Sequence, residues 1–461
     1  MSRRSGPDEG RAIGMSVPQP QPQPAGAPKK AMTVLQASFI GVGAMVGAGI
    51  FALLGAAGAV AGSAVWLSFL IAGMIAALQG YSFAKLGSTY PSSGGMLAYL
   101  AKGFGEGHIT GIVSWLFYMT GAIVAAMVAT SFGGYASAVV ADDDPVWAVV
   151  FAVLLVLVMT TLNIVGSSAV ARVQSLIVKI VLAILTLFAI VTIVNFDPTL
   201  LDPAGYPGLR EIISSVALTF FAFLGFGVIT FTAKDLPNPA RQLPRAMYLA
   251  LGVATAVYVG VSLGVFGTLT AEQVVEYGAT ALAEAAKPVL GEAGYVLMVI
   301  TALFSTAGAV NASLYPSAGM TRHLAEVGQF PTAFGRNVGK RAPVGLVVMA
   351  LITIFMIIAL DLNSIASLGS AVALLIFSAV TVSHFRTYKE TGASLIVLII
   401  ALVATLGTFV VFTMTTLVNE PKTAIALLVI LTAAVLFDVL WKRARDRGKA
   451  RYSRHPDTQP E

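Results

Sequence analysis

The chain has 461 residues, 57% of them hydrophobic and only 11% charged, with a mean hydropathy of +0.85. A soluble domain carries roughly 25% charged residues, so this composition excludes a soluble globular protein and defines a polytopic membrane protein. The lack of cysteine excludes disulfides and thiolate metal sites, and the net charge of +6 raises nucleic acid as a partner until the placement of the charges is considered.

Residues 1–32 are polar and rich in Pro, Gln and Gly. They lack a charged segment followed by a short apolar run and a cleavage site, so they read as a disordered cytoplasmic tail and not as a signal peptide. A spanning helix needs about 20 mostly apolar residues, and by that rule roughly twelve follow. Their ranges are 33–60, 63–86, 96–140, 146–165, 170–196, 209–232, 243–269, 289–325, 343–361, 363–384, 393–416 and 422–441. The third and eighth runs are long and are expected to be tilted helices that extend past the hydrocarbon.

The connecting loops orient these spans. With both termini cytoplasmic, the outside loops hold only Arg210, Lys287 and Lys422, and nearly all other basic residues fall inside. That asymmetry follows the positive-inside rule and supports an even number of spans in a cell (inner) membrane. The outside loops are acidic, as in "ADDDP" at 141–145. The basic C-terminal tail, 442–461, is expected to set topology and touch anionic lipid headgroups. The charge therefore needs no nucleic acid partner.

The first span contains "VGAGIF" at 46–51 and the sixth "LGFGVI" at 224–229. Each places Gly-x-Gly part-way along an apolar run. A single motif of this kind serves close helix packing as readily as unwinding. A matched pair about five spans apart points to an inverted repeat with two broken helices around a transporter site. Unwound backbone is tolerated in a membrane only where it is buried in protein or lines a cavity. Its freed N–H groups suit a carboxylate and its freed carbonyls an ammonium. Gly47 to Ala52 also fits Gly-x-Gly-x-x-Ala, but no strand precedes it and the next acidic residue is Glu106, so a dinucleotide site is rejected.

Further stretches complete a pattern: "GVGAMVGAGIF" at 41–51, "YSFAKLGSTYPSSGG" at 81–95, "FFAFLGFGVITFTAKDLPNPARQLPRAM" at 220–247 and "ALFSTAGAVNASLYPSAGMTRHLAEVGQFP" at 302–331. With these the chain, from about 33 to 441, resembles the amino acid–polyamine–organocation superfamily of permeases, and is most similar to broad-specificity proton-coupled amino acid transporters of archaea and bacteria. The resemblance implies an all-α membrane fold with a five-plus-five inverted repeat and broken helices 1 and 6. The repeats would be 33–196 and 209–386, with two peripheral helices in 393–441. It implies alternating access around a central site, with no enzyme activity and no cofactor. The substrate carboxylate would meet the N–H groups of Gly47, Ala48 and Gly49. The ammonium would meet carbonyls of Met45 or Val46 and of Phe221, Ala222 and Leu224, with Phe223 or Phe226 as an aromatic gate.

Lys179 is a charge inside the fifth span, and an intramembrane ionisable group is a functional candidate, here for proton coupling. In similar permeases such a lysine falls about two residues further along, where this chain has Val181; two residues turn a helix by about 200°, so the two positions face opposite sides. Snorkelling to the cytoplasmic interface is the competing reading. The four histidines lie in or near cytoplasmic segments and form no metal-like spacing. Cationic members of the family place a glutamate in span three shortly after a tryptophan. The matching position after Trp115 is Thr120, and a cavity lined by Met119, Thr120, Phe223 and Ser305 suits neutral side chains. The expected function is thus proton-driven import of neutral L-amino acids. The alternatives are an exchanger, a carrier of cationic amino acids or polyamines, and a non-transporting sensor on the same scaffold.

Overall fold

The computed structural model describes residues 32–92, 94–165, 168–338 and 342–454, with backbone alone at Ala48, 168–175 and 446–454. Nearly all of the expected N-terminal tail lies outside these residues. The first helices are α1 (Val34–Ala61), α2 (Val65–Thr89), α3 (Gly95–Phe104), α4 (His108–Val140), α5 (Pro145–Val165) and α6 (Ser168–Val194). Then come α7 (Leu209–Phe221), which continues as a 3-10 segment Leu224–Asp235, and α8 (Pro239–Phe266), α9 (Ala271–Tyr277), α10 (Ala281–Glu284) and α11 (Lys287–Glu326). The chain closes with α12 (Val344–Ala359), α13 (Leu362–Phe385), α14 (Tyr388–Thr391), α15 (Leu395–Phe412) and α16 (Pro421–Arg454). A two-residue strand pair, Asn337–Val338 with Ala342–Pro343, interrupts the loop before α12.

Each of the twelve predicted ranges is occupied by helix. Among the described residues ten segments are long and apolar enough to cross a membrane, beside two shorter apolar ones, Val34–Gly47 and Val344–Ala359. The caps explain several starts. Thr33 accepts from the Gln36 amide at 3.2 Å while its own amide donates to Gln36 Oε1 at 2.9 Å, a capping box that begins α1. Asp361 caps α13 by accepting from the Ser364 amide at 2.9 Å. Burial works to raise that carboxyl, and the Ser364 amide and hydroxyl outweigh it and hold the group below the usual range.

The third predicted run is corrected. It is not one long tilted helix but two, α3 and α4, because Gly105 ends α3 at φ +73°, a conformation that only glycine adopts without strain. The eighth run is a single long helix kinked near its start, at Gly291 with φ +66°.

Burial separates central from peripheral spans. The most apolar windows of Leu209–Asp235 and Leu362–Phe385 are 83% buried, against 28% for Leu395–Leu417 and 22% for Pro421–Arg445. The sixth and tenth spans are therefore walled by protein. The last two present apolar side chains such as Ile396 and Leu428 outward, as a lipid-facing surface does.

Candidate functional site

The centre of the fold is where α1 meets the second half of span six. A Cβ on Gly225 would lie 2.5 Å from the Ala44 carbonyl carbon and 2.6 Å from the Met45 amide nitrogen, so only glycine lets these two backbones touch. Span six changes from α to 3-10 geometry part-way along, with Ala222 and Phe223 keeping right-handed helical angles. α7 ends at Phe221, Ala222 and Phe223 form a turn, and the chain resumes as a 3-10 helix of 12 residues. Such runs rarely exceed 3–4 residues, so this one is an unusual element. The Tyr258 hydroxyl of α8 donates to the Ala222 carbonyl at 3.2 Å and satisfies one group freed by the break.

Span one differs from expectation. α1 is helical from Val34 to Ala61 with no interruption at Gly47–Gly49. An unbroken helix engages those N–H groups with its own carbonyls, so in this conformation they do not form a carboxylate site. The physical reason is visible in the neighbours. A Cβ on Gly47 would sit 2.7 Å from the Ala309 Cβ and 2.9 Å from the Ser305 carbonyl oxygen. One on Gly49 would sit 2.5 Å from the Tyr258 hydroxyl and 2.6 Å from the Ala222 Cβ. Here the glycines act as close-packing contacts against α11, α8 and the span-six break. Ala48, between them, lies outside the residues whose side chains are described.

The other named residues are mostly buried. Met45 and Val46 are buried, as are Phe221 and Ala222, whereas Leu224 is half-buried. Phe223 packs edge-on against Tyr258, and Phe226 stacks on Phe377 and meets Phe83 edge-on. Both phenylalanines are fully buried, so either one would have to swing out of an aromatic cluster to act as a gate. Thr120 is buried on α4 and its hydroxyl donates to the Leu116 carbonyl at 2.9 Å. A crevice between α1, α6 and α11, lined by Gly43, Val46, Gly47, Val181, Ser305 and Ala309 among others, holds only about 10 Å³. That is room for about one water.

Val181, 3% exposed, lines this crevice, whereas Lys179 is exposed and holds its ammonium 5.7 Å from the centre of the Phe39 ring. The two positions face apart, as the helical turn between them requires.

Three features escaped the sequence reading. Tyr258 was readable as a buried hydroxyl in an apolar span, which must find a partner. His384 is fully buried, with Nδ1 2.7 Å from Ser82 Oγ and Nε2 2.8 Å from Thr391 Oγ1. Asp438, fully buried in α16, lies 2.5 Å from His108 Nδ1 and 2.7 Å from Lys442 Nζ. Lys442 also donates to the Gly107 carbonyl, and Arg445 to that of Gly328. Part of the basic C-terminal stretch thus binds protein. Outside the spans, desolvation first and then Glu390 push the Tyr90 hydroxyl up to about 12. Among the described residues no group of His, Asp and Glu has a metal-site arrangement.

Twelve helical ranges around a buried, discontinuous sixth span, packed glycine-to-backbone on the first, define a membrane carrier scaffold. Residues 32–441 match the family described as amino acid permease, and the chain belongs to that family. It is a multi-pass membrane transporter of amino acids, not an enzyme. It is 34% identical over 363 residues to the inner membrane transport protein YbaT of Escherichia coli, which covers 78% of this chain and 84% of that protein. It is 27% identical over 258 residues to the branched-chain amino acid permease BcaP of Bacillus subtilis (52% of this chain, 55% of that one). It is also 28% identical over 386 residues to the vacuolar cationic amino acid transporter 2 of Arabidopsis thaliana (77% and 59%).

Proposed function

We propose that the protein imports neutral L-amino acids by proton symport across a cell membrane, with both termini cytoplasmic. In the open state α1 would unwind at Gly47–Gly49 and join the span-six break in holding the α-carboxylate and α-ammonium. The observation that carries the neutral preference is the chemistry at this centre. Ala222, Phe223, Phe226, Thr120 and Ser305 supply no carboxylate. Asp438, the buried acid of α16, is already paired with His108 and Lys442. A lysine or arginine side chain would bring a second cation into this low-dielectric centre at a cost of several kcal/mol. The relatives named for substrates divide among methylthioribose, branched-chain amino acids and cationic amino acids, so the local chemistry carries the choice. Competition tests it: unlabelled alanine or leucine is expected to displace a bound neutral amino acid at least tenfold better than arginine or putrescine, since each 1.4 kcal/mol is about tenfold. Better displacement by arginine would refute the preference.

Lys179 remains the candidate proton carrier of this reading, and its exposed position on the far side of α6 from the crevice favours snorkelling. Lys179→Ala is expected to lose pH-driven accumulation if Lys179 carries the proton. An unchanged pH profile would assign it to the interface. Among the described residues that line the crevice none is ionisable, which favours a second reading, an exchanger that needs no coupling ion.

A further inference from the structure

A second cleft, of about 410 Å³, opens at the opposite end of span six from Asp235. Its volume is in the range of small-molecule sites. Arg210, Glu211 and Ser214 of α7 form one wall. Thr415, Asn419 and Glu420, from the junction of α15 and α16, form the other. Two features set it apart from a surface groove. First, α15 runs into a π-helical turn at Thr413–Leu417, and such turns concentrate at functional sites. That turn aims Thr415 Oγ1 at Ser214 Oγ, 2.6 Å away, while Thr416 Oγ1 lies 2.8 Å from the same oxygen. Second, the cleft holds charges of both signs that do not neutralise one another. Arg210 donates only a long bond, 3.4 Å, to the Met414 carbonyl, Glu420 accepts from the Thr423 hydroxyl at 3.0 Å, and among the described residues none of Arg210, Glu211 and Glu420 is in an ion pair.

The geometry points to a second amino-acid site in this cleft, with Arg210 on the α-carboxylate and Glu420 or Glu211 on the α-ammonium. A guanidinium presents a planar fork that matches a carboxylate, and the zwitterion would bridge charges that the protein leaves apart. The occupant would tie α7 to the peripheral α15–α16 pair. α7 runs from Arg210 to the break at Ala222, a distance of about 18 Å at 1.5 Å per residue. Binding here would thus bear on the helix that must move at the centre. The inference rests on the amino acid transport proposed above for its ligand class, but not on the central site.

The cysteine-free chain supplies the test. Asn419→Cys places one thiol in the cleft, and Asn195→Cys places another in the loop after α6 as a control. Membrane-impermeant maleimide is applied to membranes, with and without a millimolar mixture of L-alanine, L-leucine and L-serine. The mixture is expected to slow labelling several-fold in the cleft and not at the control. Adding Arg210→Gln should abolish that protection, and adding Gly49→Val, which blocks the centre, should leave it intact. Protection that survives Arg210→Gln but vanishes with Gly49→Val would report the centre instead and overturn the cleft site. No protection, or protection by phosphoethanolamine but not by amino acids, would also overturn it, the latter assigning the cleft to a lipid headgroup. Uptake measured in the same membranes reports separately on the transport reading.

Discussion

Gly49→Val is expected to reduce amino acid uptake to background while the protein still inserts in the membrane. The added side chain would begin 2.5 Å from the Tyr258 hydroxyl and 2.6 Å from the Ala222 Cβ, both fully buried. Overpacking of this kind costs about 1–3 kcal/mol even for a methyl group. A β-branched residue adds rigidity where α1 would have to unwind. Gly49→Ala should therefore be impaired by about tenfold, which corresponds to about 1.4 kcal/mol and lies in the lower part of that range. Pairing it with Tyr258→Phe should recover only part of the loss, because the Ala222 contact remains and the Ala222 carbonyl loses its donor. Uptake kinetics alongside surface expression measure this. Full activity in Gly49→Val would show that the contact between α1 and the span-six break does not matter.

Asp438→Ala is expected to be the most destabilising single substitution outside that centre. Lys442 is 8% exposed at its side chain, and removing its partner leaves a cation in a mostly dry position. Breaking such a pair costs about 3–5 kcal/mol; the lower end applies here because Lys442 lies close to the end of the apolar stretch and can reach for water. His108, 60% exposed, loses an acceptor but stays solvated and adds less. The unfolding midpoint in detergent should fall by several degrees. Asp438→Ala with Lys442→Met should regain most of the loss, because it removes both charges. A single variant as stable as the parent would show that α16 is not held to the start of α4 by this charge.

Much of this was legible in the residues, for particular reasons. The spans were readable because twenty apolar residues in a row have few other uses, and the sixth-span break because Gly225 and Gly227 interrupt one. The state of α1 was not readable. Glycine permits both unwinding and close packing, and the choice depends on Ala222, Ser305 and Ala309, which lie far away in sequence. The division between α3 and α4 was hidden because hydropathy averages across Gly105, whereas the positive φ that ends α3 is a local backbone property. The shift between Lys179 and Val181 was readable from helical geometry alone. The Asp438 pairing had a signal, an acid in the last apolar run, that deserved the same default suspicion as Lys179.

The central claim is coupled transport, and one measurement bears on it most directly: uptake of radiolabelled L-alanine and L-leucine into proteoliposomes with an imposed pH gradient, alkaline inside. Proton symport predicts accumulation of up to about tenfold per unit of pH at one proton per substrate, a factor worth about 1.4 kcal/mol, and its collapse on adding a protonophore. Uptake that ignores the gradient and appears only when the vesicles are preloaded with amino acid would contradict symport and establish an exchanger.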